Sequence, residues 1–165
     1  MRKRWPLALA VLLAAPPAAV ASQTVPYTND RYGFTVAVPA GWRADPPPDN
    51  DDGRTFRSPD DKSFVTAFGH FVLNQDFAGE VEQIQSGHIG ETLTFKRAGK
   101  DWAVASGTRG DRIFYRRGVI SCKNSVWSEV DIEYPAAQKR AFDALVATIA
   151  ASLKPGVGAY TDDCR

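Results

Sequence analysis

The chain has 165 residues, 20 Lys+Arg against 19 Asp+Glu, a net charge of +1, two cysteines and two histidines. That length suits one ordinary domain with its own core. The near-even charge excludes a general nucleic-acid binder, which needs a strong basic excess.

The first 21 residues divide into three parts. Arg2, Lys3 and Arg4 make a positive start, Leu7 to Ala15 is an apolar run, and Ala19-Val20-Ala21 supplies small residues for a peptidase. This layout predicts a cleavable secretory signal peptide over 1–21, cut before Ser22. The apolar run is about half the length that crosses a bilayer, and nothing later in the chain is apolar enough to do so. No cysteine lies near the cut to carry a lipid. The expected location is the bacterial periplasm or the medium, with no transmembrane span in the mature chain. Without the signal, a single domain over 22–165 remains, with 17 Lys+Arg against 19 Asp+Glu and a net charge of −2.

Tyr32 to Val38 alternates, with Phe34, Val36 and Val38 on one face, and predicts a half-buried strand. Pro46-Pro47-Pro48 followed by Asp49-Asn50-Asp51-Asp52-Gly53 is a loop. Arg54–Arg57 and Ser63–Phe71 are expected as a hairpin across the turn Ser58-Pro59-Asp60-Asp61. Over 74–88 the period changes. Phe77, Val81, Ile84 and His88 recur at helical spacing, with Asn74 or Asp76 as cap and Gly87 and Gly90 at the end. Strands return over 93–97, 102–108, 112–117 and 126–134. In the last, Val126, Val130, Ile132 and Tyr134 are expected inward and Trp127, Glu129, Asp131 and Glu133 outward. From Pro135, the stripe Phe142, Leu145, Val146, Ile149 and Leu153 predicts a longer C-terminal helix up to Pro155. The expected fold is a single-domain α+β, one antiparallel sheet with both helices on its core face.

In an oxidising compartment Cys122 and Cys164 are expected to pair, pinning the C-terminal tail. Closing a loop of this size contributes roughly 3–4 kcal/mol in the chain-entropy picture. A metal or redox pair would want C-x-x-C spacing or a nearby histidine, and the sequence has neither.

One pattern extends beyond periodicity. Tyr32-Gly33-Phe34 is followed by Pro39 and Trp42, an acidic loop with Gly53, and Phe56-x-Ser58-Pro59-Asp60; the chain closes with Tyr134-Pro135 and a helix ending Ser152-Leu153. This resembles the PsbP-like family of small exported bacterial proteins, which includes DcrB-type and LpqN-type members. The resemblance implies an antiparallel sheet with helices around it. It also implies a role as extrinsic subunit, adaptor or accessory protein without a shared catalytic centre. No site residue transfers, because the matching positions are core and turn residues. Unlike the lipoprotein members, this chain has no lipidation cysteine.

The candidate chemistry is sparse. The 49–53 loop fails calcium-loop spacing, since Pro48 falls where the first ligand would stand. His70 and His88 could serve as bases or metal ligands only if the fold brings them together. No serine sits in a nucleophile-elbow context. Arg109-Gly110-Asp111 spells an integrin-type tripeptide but uses ordinary turn residues. Between Lys96 and Lys123 lie eight basic residues and two acids. These cations either meet an anionic partner or pair across the sheet, Arg112 and Arg116 with Glu129, Asp131 and Glu133.

The sequence therefore predicts an exported, non-catalytic accessory or binding protein of the cell envelope. No catalytic residue, metal site or cofactor is expected. A protein partner is expected to meet Arg109, Arg112, Arg116 and Trp127. The alternatives are an enzyme inhibitor or immunity-type protein, with the 46–53 loop or the 109–111 tip as wedge, and a small hydrolase or metal-dependent enzyme using His70 or His88.

Overall fold

The computed structural model describes residues 23–159 and 164. The predicted signal peptide, 1–21, lies outside the described residues. Two antiparallel strands open the fold, β1 (Thr24–Thr28) and β2 (Thr35–Pro39), paired as a separate hairpin. β2 starts three residues later than Tyr32 because 29–33 forms its turn. Gly33 takes φ +76° and donates to the Asn29 carbonyl, while the Tyr32 amide donates to the buried Asn29 Oδ1. A left-handed residue there favours glycine. β1 escaped the sequence reading because most of it is exposed and it shows no apolar alternation.

The remaining strands form one antiparallel sheet. They are β3 (Arg43–Ala44), β4 (Gly53–Arg57), β5 (Phe64–Phe71), β6 (Glu91–Ala98), β7 (Trp102–Arg109), β8 (Arg112–Ser121) and β9 (Val126–Pro135). Their spatial order is β3-β4-β5-β9-β8-β7-β6. The single expected sheet is thus a seven-stranded sheet plus the β1–β2 hairpin. The β4–β5 turn uses the expected residues: Asp60 accepts from Ser58 Oγ and the Lys62 amide, and Ser58 Oγ accepts from the Ser63 amide.

Helix α1 (Phe77–Gln85) is capped by Asp76, whose side chain accepts from the Gly79 amide at 3.0 Å. It is shorter than the expected 74–88; Gly87 and Gly90, both at positive φ, turn the chain toward β6. Pro135 ends β9, a 3-10 turn follows over Ala136–Gln138, and α2 spans Lys139–Ser152. Its stripe Phe142, Leu145, Val146, Ile149 and Leu153 is buried, as the spacing predicted. Each of these side chains stabilises the fold by about 1.5–3 kcal/mol relative to exposure.

The two helices sit on opposite faces of the sheet, which corrects the expectation that both cover one. α2 and the hairpin seal Val65, Val119, Val130, Ile132 and Tyr134 into the main core. α1 lays Ile84, Phe77 and Val81 over Ala103, Ile120 and Trp127, a second core on the other side. The physical reason is the apolar end of that second face: Trp127 and Ile120 are cross-strand partners and need cover. A disulfide joins Cys122, in the β8–β9 turn, to Cys164.

Candidate functional site

Strand alternation assigns the side chains to faces. On the α1 side, β9 presents Trp127, Glu129, Asp131 and Glu133, and the register sets Gly118 opposite Glu129, Arg116 opposite Asp131 and Phe114 opposite Glu133. α1 covers only the Trp127 end. Trp127 is 1% exposed, so its expected outward position is wrong: its ring lies over Gly118 beneath α1, and its Nε1 donates to Glu129 Oε2 at 2.7 Å. Glycine at 118 is what admits the ring, since a Cβ there would stand 1.8 Å from Trp127 Cζ2.

The rest of this face lies beyond α1. It floors a cleft of about 340 Å³ lined by Thr55, Arg57, Thr66, Arg109, Arg116 and Asp131, among others. A second groove, about 440 Å³, shares Thr55 and Thr66 and runs to Pro46 and Pro48 in the loop before β4. The charges in the cleft form a chain of ion pairs. Arg112 Nε donates to Glu133, Arg109 bridges Glu133 (3.3 Å) and Glu91 (2.5 Å), and Arg116 grips both Glu91 oxygens. Arg116 Nε lies 3.7 Å from Asp131. Arg112 and Arg116 therefore pair across the sheet with two of the acids the sequence suggested. Arg116 is buried at the floor of the cleft.

Glu91 was not anticipated. It comes from the far strand β6, where register places it opposite Arg109. Its carboxylate is fully buried, yet its pKa falls to about 2. Burial alone would raise it; hydrogen bonds from Arg116, the His88 amide and Arg109 outweigh that cost. Asp131 moves the other way: desolvation of its buried Oδ1 and the neighbouring Glu129 carboxylate raise its pKa well above the ordinary value, against the pull of Arg116, although about a third of its side chain, 36%, is exposed. Its Oδ1 is buried without a hydrogen-bond partner among the described residues. Burial opposes the charge on Arg116, and Glu91 more than compensates, so its pKa rises.

His70 does share a face with Phe64, Thr66 and Phe68. Its Nε2 meets Glu80 of α1 at 3.0 Å. His88 lies beyond the helix end, where Arg116 Nη2 donates to its Nδ1 at 3.3 Å. The two histidines thus serve different neighbours, and no group of three metal-ligating side chains occurs among the described residues. The 46–53 loop is tied down: Asn29 Nδ2 donates to the Asp51 carbonyl at 2.9 Å, the Arg31 guanidinium donates to the Asn50 carbonyl, and the Gly69 amide bonds the Asp52 carbonyl. At the 109–111 tip, Arg109 is held by Glu91 and Glu133.

The basic segment therefore splits in two. Arg109, Arg112 and Arg116 are neutralised on the α1 side. Lys96, Arg97, Lys100, Arg117 and Lys123 make no salt bridge among the described residues. Arg97 and Arg117 belong to the α2 side of β6–β8, where both guanidinium groups lie over the Trp102 ring, at 6.0 and 5.3 Å from its centre. No helix among the described residues is long and apolar enough to cross a membrane.

Antiparallel sheet, separate hairpin and helices on both faces together make the PsbP-like α+β fold. The chain is similar to the solution structure of cyanobacterial PsbP (CyanoP) from Synechocystis sp. PCC 6803, with TM-score 0.60 and 14% identity over 87% of this chain and 98% of that one. It is also similar to the crystal structure of LpqN of Mycobacterium tuberculosis, with TM-score 0.54 and 15% identity over 82% of this chain and 91% of that one. At these identities the likeness is one of fold. No protein-family model matches the chain, and no curated protein matches its sequence.

Proposed function

We propose that this is an exported, non-catalytic binding protein of the cell envelope that acts through a protein partner. The observation that carries this reading is the internal compensation of the cleft. Glu91 and Glu133 are each held by two arginines, and each histidine is engaged by a neighbouring side chain. A general base or nucleophile is activated by its neighbours and aimed at a substrate; these groups instead hold one another. The disulfide suits an oxidising compartment. The fold is shared with LpqN, a protein described as involved in cell envelope biogenesis.

The test is to express the full chain with a C-terminal affinity tag, crosslink cells lightly and identify what co-purifies. One recurrent envelope protein is the expected result. Repeated preparations with no recurrent protein would overturn the reading.

A further inference from the structure

We infer that the α2-side face of β6–β8, around Arg97, Trp102 and Arg117, docks an acidic segment of a partner protein. This rests on the binding-protein reading and adds to it a surface and the partner's chemistry. The register places Arg97 opposite Val104 and Val104 opposite Arg117, so two like charges flank one residue in a cross-strand row. Both stand over the same indole, and neither makes a salt bridge among the described residues. The Nε of Arg117 is buried without a hydrogen-bond partner among the described residues.

Cations on a sheet edge also deter strand pairing. That accounts for Lys96 on the edge strand β6, but not for Arg117, which lies on β8 inside the sheet. Aromatic side chains complete the patch. Phe95 is 48% exposed, and half-buried Tyr115 is close enough to Arg117 for that charge to oppose the rise burial causes in its pKa. Trp, Tyr, Phe and Arg are the residues enriched where protein interfaces are tightest. Guanidinium groups fixed on an indole present a fork that fits a carboxylate. The ring of Trp102 is engaged by two guanidinium groups and packs against the core, which suits a protein segment better than insertion among lipids.

The test measures anisotropy of a fluorescently labelled glutamate decapeptide titrated with the purified protein. Parallel titrations use Arg97→Glu, Arg117→Gln and, as a charge-matched control on α2, Arg140→Glu. Arg97 is exposed, so its variant keeps the fold; Arg117→Gln is accepted only with an unchanged thermal melt. The expected result is salt-sensitive binding, weakened roughly tenfold by Arg97→Glu and by less than about twofold by Arg140→Glu. No binding, equal loss in the Arg140 control, or binding only to phosphatidylglycerol vesicles would overturn the proposal. In the crosslinking experiment, a partner retained by Arg97→Glu would reject this surface while leaving the binding function standing.

Discussion

Replacing Glu91 by glutamine removes the one carboxylate that both Arg109 and Arg116 grip, and leaves a buried guanidinium facing a neutral amide. The folded-state pKa of Glu91 lies at about 2, against an ordinary 4.5. Each unit of such a difference is about 1.4 kcal/mol, so the full linkage is about 3 kcal/mol. The cluster reaches solvent through Arg109, whose side chain is 41% exposed, and screening there reduces this to about 2 kcal/mol. The sign follows from the depressed pKa. The contribution is fully present above the unfolded value and is lost as pH falls from about 4.5 toward 2. Urea unfolding of both proteins, repeated at several pH values from neutral downward, measures it. Glu91→Gln is expected to be less stable by about 2 kcal/mol near neutrality, with the gap closing in acid. A variant as stable as the parent at neutral pH, or a gap unchanged in strong acid, would refute the argument that this ion pair outweighs its own desolvation.

Asp131 predicts the opposite pH dependence. Its folded pKa is raised by burial and by Glu129, so wild-type stability declines as pH rises above the unfolded value, where the unfolded chain ionises and the folded one resists. Asp131→Asn is therefore expected to be more stable near neutral pH, with the gain vanishing toward pH values where Asp131 is protonated in both states; thermal melts across pH check this. Gly118→Ala would drive a methyl into the Trp127 ring and is expected to cost about 1–3 kcal/mol by overpacking, visible in urea midpoint and in Trp fluorescence.

Much of the fold was legible in the residues themselves. The period-2 runs from 63–71 onward, the turn at Ser58–Asp61, the α2 stripe and the Cys122–Cys164 pairing all follow from local patterns and from the number of cysteines. These depend on neighbours in sequence or on composition, so a single chain displays them. The sequence also suggested that Arg112 and Arg116 meet the acids of β9, because adjacent strands with clean alternation leave few registers.

Three features needed the tertiary structure. Alternation assigns a residue to a face but does not say what lies over that face, so Trp127 read as outward until α1 was seen to cover it. Glu91 joins Arg109 and Arg116 from the edge strand β6, and its low pKa reflects hydrogen bonds from two guanidinium groups, neither of which local sequence encodes. The partition of the basic segment is the last. Residues close in sequence, Arg116 and Arg117, point to opposite faces of one strand, so one is neutralised in the α1-side cleft and the other is left over Trp102. Which of two neighbouring arginines stays uncompensated is decided by what the other strands bring to each face.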